Sequence, residues 1–123
     1  MYNIITIPGS KDKPFIQIDQ NENKYSIRGN CYPDDPKSVF YVLNEGLNKS
    51  IENDGFIYLS LELIYMNTGS KLIINDIIEK ISVKSSGYKI TWFYSDEDIL
   101  DEIEYMEYCT GAIIKKKFKE IEL

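Results

Sequence analysis

The residues of this chain that could do chemistry are few, and the most telling is a hydroxyl. In "YMNTGSKLIINDI" (Tyr65–Ile77) an apolar run gives way, through Asn67, Thr68, Gly69 and Ser70, to a second apolar run with helical spacing. A hydroxyl at such a corner stands where a helix opens with unpaired N–H groups. Its plainest use is as a cap, with Thr68 or Ser70 accepting from a first-turn N–H. Its sharper use is to carry phosphate. That group adds about −1.5 to −2 charges, and the oriented N–H groups and positive end of the helix dipole suit it. Gly69 would let another protein's active site come close to the backbone, and Lys71 could pair with a phosphate on Thr68.

Other candidates carry plainer readings. The acids Asp96, Glu97, Asp98, Asp101, Glu102, Glu104 and Glu107 lack the alternating oxygen ligands and central glycine of a calcium loop. A dipole-favoured first turn and a solvated helix face account for them, so no metal site is expected. Cys31 has no Lys or Arg beside it in sequence to lower its pKa and reads as a packed thiol. Tyr32, next to it, could belong to a binding rim. Lys115, Lys116 and Lys117 suit the protection of an exposed sheet edge. The chain has no histidine, which removes the usual neutral-pH base, the commonest metal ligand and every Ser/His or Cys/His nucleophile scheme. No catalytic residue and no cofactor are expected. A small enzyme using carboxylates such as Asp96 and Asp98, or a purely structural interaction subunit, are the alternatives.

Bulk properties narrow the partners. The net charge of −6 and pI near 4.7 repel polyanions, so nucleic acid and acidic membrane are not expected to bind. No run approaches the roughly 18 uninterrupted apolar residues of a membrane helix, and "MYNIITIPGSKDKP" does not read as a signal peptide. Cys31 and Cys109 lie far apart with no CxxC spacing, which reads as free thiols in a reducing cytoplasm. A length of 123 residues, 43% of them hydrophobic, suits one domain, 1–123, with a real core.

The elements that must position these residues follow from periodicity. "FIQID", "QNEN" and "KYSIRG" read as a hairpin with Ile16, Ile18, Tyr25 and Ile27 on its inner faces, and a short strand at "YNIITI" precedes it. Asp35 and Pro36 open a helix whose Phe40, Leu43, Leu47 and Ile51 face the core, and Asp54-Gly55 stops it. "GFIYLSLELIYM" alternates, with Ile57, Leu59, Leu61, Leu63 and Tyr65 on one face; Phe56, Tyr58 and Ile64 make the other apolar too, as in a central strand covered on both sides. A helix at about 70–83 buries Ile73, Ile74, Ile77, Ile78 and Ile81. "YKITWFY" is a strand, Ser95 can cap a third helix with Ile99, Ile103 and Met106 inward, Gly111 ends it, and "AIIKKKFKEIEL" makes a last strand. The expected fold is α/β: a single mixed β-sheet, an N-terminal hairpin followed by α-β-α-β-α-β, with right-handed crossovers and helices packed on the sheet.

Three stretches carry a resemblance: "SIRGNCYPDD" (Ser26–Asp35), "YMNTGSK" (Tyr65–Lys71) and "ITWFYSDEDIL" (Ile90–Leu100). Their order and spacing over nearly the whole chain resemble the SiaC family of bacterial regulatory phosphoproteins. The resemblance implies a fold like that of the anti-sigma factor antagonists and a partner-switching role without catalysis. It implies phosphorylation of Thr68 by a protein kinase of the SiaB type and reversal by a PP2C-type phosphatase. The unphosphorylated form would bind and activate a GGDEF diguanylate cyclase, raising cyclic di-GMP and favouring biofilm or aggregation. Asn67, Thr68, Gly69, Ser70 and Lys71 would frame the partner contact. Where the family commonly has a serine-rich run after the threonine, this chain has Gly69 and then Lys71, which leaves Ser70 as the only nearby alternative acceptor.

Overall fold

Strand and helix propensities resolve into six strands and three helices in a computed structural model that describes residues 4–120. The ends of the expected first and last strands lie outside those residues. The order is β1 (Ile4–Ile7), β2 (Phe15–Asp19), β3 (Lys24–Cys31), α1 (Pro36–Glu52), β4 (Phe56–Met66), α2 (Thr68–Lys84), β5 (Gly87–Tyr94), α3 (Glu97–Thr110) and β6 (Ile114–Phe118). All six strands join one sheet in sequence order. The first three are antiparallel, and β3 to β6 run parallel. This is the mixed sheet that the alternation of strand and helix patterns predicts.

Sequential parallel strands joined by right-handed crossovers place every crossover helix on the same side. Accordingly α1 packs on α2 and α2 on α3, and all three rest on the sheet. The core lies between that layer and one sheet face. Ile16, Ile27, Leu59, Leu61, Ile90 and Trp92 supply the sheet side; Phe40, Leu47, Ile74, Ile78 and Ile103 supply the helix side. Each such side chain contributes about 1.5–3 kcal/mol by leaving water. Ile51 and Ile73 are only partly buried against this core.

β4 is central, as its composition suggests, but it is covered on one face only. Phe56 and Tyr58 stand exposed on the other face, at 47% and 41%. Tyr65 also departs from the expected inward row. Gly29 pairs with Leu63 and the next residue, Asn30, with Tyr65, so β4 carries one extra residue at Ile64. Such a bulge reverses the alternation that follows it. Met66 is therefore buried and Tyr65 is 55% exposed.

The helix starts obey the capping rules with two shifts. Asp35 caps α1 through Ser38 N, with Pro36 in the first turn. For α3 the cap is Asp96, accepting from Ile99 N at 2.9 Å, and not Ser95. Gly111, in the left-handed region at φ 74°, ends α3. A buried polar knot ties the hairpin to α1: the Tyr25 hydroxyl donates to Gly46 O at 2.9 Å and meets the Ser50 hydroxyl, which reaches Asn23 Oδ1 at 2.7 Å.

Candidate functional site

The three helix N-termini gather along the edge where the parallel strands end, and α2 begins there in the middle. Its cap is Asn67, not Thr68 or Ser70. The Asn67 carboxamide oxygen accepts from Ser70 N at 3.0 Å, and its Nδ2 donates to Pro33 O at 3.1 Å. The Asn67 backbone N–H donates to Cys31 O at 3.0 Å. One side chain thus satisfies an orphan donor of α2 and clamps the loop after β3 to the end of β4. An asparagine does this well because its amide offers both an acceptor and donors.

Asn67 takes over the task that the sequence assigns to Thr68 or Ser70. Thr68 becomes the first residue of α2, exposed, and its hydroxyl makes no hydrogen bond among the described residues. It stands beside the unpaired N–H groups at the positive end of the dipole. Ser70 is different. It is 0% exposed, and its Oγ has no partner of normal hydrogen-bond geometry among the described residues. The Cys31 thiol lies near it, its pKa pushed up by burial and drawn partly back by Ser70. In the folded protein Ser70 is closed to a kinase, which removes it as the alternative acceptor on geometry. Cys31 is the packed thiol expected; Cys109 is exposed, and both are free.

At Gly69 a Cβ would lie 3.0 Å from Pro36 Cγ, a tight approach, so the missing side chain eases the packing of the start of α1 beside α2. Lys71 is already engaged: its ammonium meets Glu102 Oε1 at 2.6 Å, joining α2 to α3. A phosphate on Thr68 would have to compete with Glu102 for it. Such half-exposed pairs are worth about 0–1 kcal/mol, so the competition is close.

Exposed apolar side chains flank Thr68 along the chain in a way the sequence reading only touched. Tyr32 and Tyr65 stack edge to face with centroids 5.6 Å apart, and Leu72 is 63% exposed one turn into α2. Tyr65 escaped notice because the bulge turns it outward. Leu72 had a signal: it lies off the stripe of Ile74, Ile77, Ile78 and Ile81. Exposed aromatic and leucine side chains on either side of a modifiable hydroxyl in the chain offer apolar contacts to another protein.

The acids separate into individual tasks: Asp96 caps α3, Glu102 holds Lys71, and Glu107 accepts from Ile114 N and pairs with Lys116. Among the described residues no three Asp, Glu, Cys or His side chains are grouped to hold a metal. No described helix is long and apolar enough to cross a membrane.

Comparison with known proteins gives a consistent picture. The profile of the SiaC family of regulatory phosphoproteins matches residues 7–122. An uncharacterised protein of Pseudomonas aeruginosa strain UCBPP-PA14 is 26% identical over 92 residues, covering 72% of this chain and 73% of that protein. The fold superposes on apo-SiaC of P. aeruginosa with a TM-score of 0.85 at 20% identity, covering 94% of this chain and 98% of the other. It also superposes on SiaC in a crystal structure of the diguanylate cyclase SiaD in complex with its activator SiaC from P. aeruginosa. There the TM-score is 0.82 at 21% identity, with 94% and 99% covered.

Proposed function

Because the chain belongs to the SiaC family of regulatory phosphoproteins, we propose that it is a non-catalytic partner switch whose phosphate acceptor is Thr68. A single observation carries this reading. Asn67 does the capping of α2, so the exposed Thr68 hydroxyl is spared for modification without loss of the helix start. Phosphate placed there gains from the dipole and free N–H groups and therefore does not unfold the corner.

What it changes is docking. The bare hydroxyl is exposed at the start of α2, with the exposed Tyr65 three residues before it and the exposed Leu72 one turn after it, and a partner docking there excludes water. A dianion in that interface keeps its hydration or loses it at a cost of several kcal/mol. The bare form then binds and the phosphorylated form is released. The partner proposed is a GGDEF diguanylate cyclase, activated by the unphosphorylated form. Support comes from the likeness to SiaC, which is described as the activator of SiaD. A kinase of the SiaB type and a PP2C-type phosphatase, both acting in the cytoplasm, complete the circuit.

The test is a calorimetric titration of a GGDEF diguanylate cyclase from the same organism with the bare and the Thr68-phosphorylated protein, alongside cyclic di-GMP production. Bare protein should bind and raise the rate, and phosphoprotein should bind at least tenfold more weakly. Equal affinities would remove the mechanism.

A further inference from the structure

We propose that the bare face of the sheet is a second docking surface, one that takes an acidic polypeptide segment of a partner protein. It lies on the opposite side of the sheet from the helices and is independent of the reading at Thr68.

Strand register organises that face into rows. Lys24, Tyr58 and Lys89 are directly paired across β3, β4 and β5 and form one ridge. Arg28, Glu62, Phe93 and Lys117 are paired across β3 to β6 and form a second. Between them runs a floor of short side chains, Ser26, Ser60 and Thr91, with Gln17 at one end and Lys115 at the other. The ridges are four residues apart along each strand, or about 13 Å, and four strands span about 14 Å. That trough, crossing the strands, holds about five residues of extended chain. The open hollow there measures about 460 Å³ and is lined by the first ridge, by Phe93 and Lys117 of the second and by most of the floor, with Ile4 and Asp19 at the β1 end; Arg28 and Glu62 line a neighbouring hollow.

The charge of this trough is opposite to that of the molecule. The chain as a whole carries −6, yet Lys24, Arg28, Lys89, Lys115 and Lys117 are all exposed on this one face. Glu62, in the second ridge, is neutralised by Lys119 at 2.6 Å. Asp19 sits at the far end of the first ridge, paired with Lys24 in register, and accepts from Glu22 N. Cations concentrated on one face of an acidic protein form a local field that selects carboxylates and repels like faces. The hydroxyl floor supplies donors for those carboxylates. A symmetric pairing of two such faces would set lysine against lysine.

Nucleic acid fits this face less well than a peptide does. Recognition of single strands needs open aromatic faces for base stacking. Here the Lys24 ammonium lies 6.0 Å from the centre of the Tyr58 ring, and Lys117 and Lys119 lie 6.0 and 5.6 Å from that of Phe93. These ammonium groups crowd the rings and aim positive charge at the trough, while the net charge of −6 opposes the approach of a long polyanion.

The experiment measures fluorescence anisotropy with a fluorescein-labelled 12-residue Glu-rich peptide at about 0.15 M salt. A Lys-rich peptide and a labelled single-stranded oligothymidylate serve as parallel probes. Binding of the Glu-rich peptide alone is expected. The variant Lys24→Glu/Lys89→Glu/Lys117→Glu should weaken it at least tenfold with an unchanged circular dichroism spectrum, and Thr68→Asp should leave it unaltered. No binding, or binding indifferent to the reversed charges, overturns the proposal. Tighter binding of the oligonucleotide reassigns the face to nucleic acid and overturns it too. So does concentration-dependent self-association in sedimentation that the triple variant abolishes, which would make a second copy the occupant. Failure here leaves Thr68 untouched, because the titration against the cyclase reads the other surface.

Discussion

At the scale of single residues, the division of labour between Asn67 and Thr68 decides what mutations do. Thr68→Ala removes a hydroxyl that holds nothing among the described residues. It should unfold within about 0.5 kcal/mol of the parent in a urea titration while still binding the cyclase; Thr68→Asp should stay folded and bind weakly. Asn67→Ala should cost about 1–2 kcal/mol, because the cap and the link to Pro33 are lost together. A large loss at Thr68 with none at Asn67 would show the roles reversed. The two thiols should separate as well. Burial holds the Cys31 pKa above its ordinary value, so a thiol reagent at neutral pH should label exposed Cys109 first and Cys31 only on unfolding.

At the scale of elements, much was legible in the sequence and the exceptions have physical causes. Alternation and 3.6-residue spacing located every helix and strand, since burial on one side leaves that signature. Tyr65 was misplaced because a bulge has no periodic signal of its own, and Gly29, at φ 104° beside it, was the only hint. The bare face of β4 was misjudged because Phe56, Tyr58 and Ile64 are apolar yet uncovered or only partly covered. The corner itself was legible, but not which of its neighbouring polar residues would cap α2; that depended on Pro33 O arriving from another loop. A further test concerns β5. Trp92 is fully buried with its indole N–H unpaired among the described residues. Trp92→Phe discards that unpaired donor, which offsets part of the lost packing, and should cost less than about 2 kcal/mol. Trp92→Ala should cost about 3–5 kcal/mol by chemical denaturation.

At the scale of the whole molecule, the buried titratable groups set the alkaline limit. Burial raises Tyr25 above its ordinary 10.0 and Cys31 above its ordinary 9.0. The folded state therefore keeps these protons longer than the unfolded chain does, so their contribution is complete below the ordinary values and is lost as pH rises through the folded ones. Lys80, lowered mainly by burial from 10.5, acts with the opposite sign, so the two raised groups are best isolated by substitution. Stability measured by urea titration should decline above about pH 9, and Tyr25→Phe should make the decline shallower. A decline just as steep in that variant would assign it elsewhere.

The sheet order has a bearing on how the protein comes into being. Because every strand lies beside the one made just before it, none has to be threaded between two already in place. A nascent chain leaving the ribosome can therefore lay down the sheet from one edge to the other, each new strand finding its seat as it emerges.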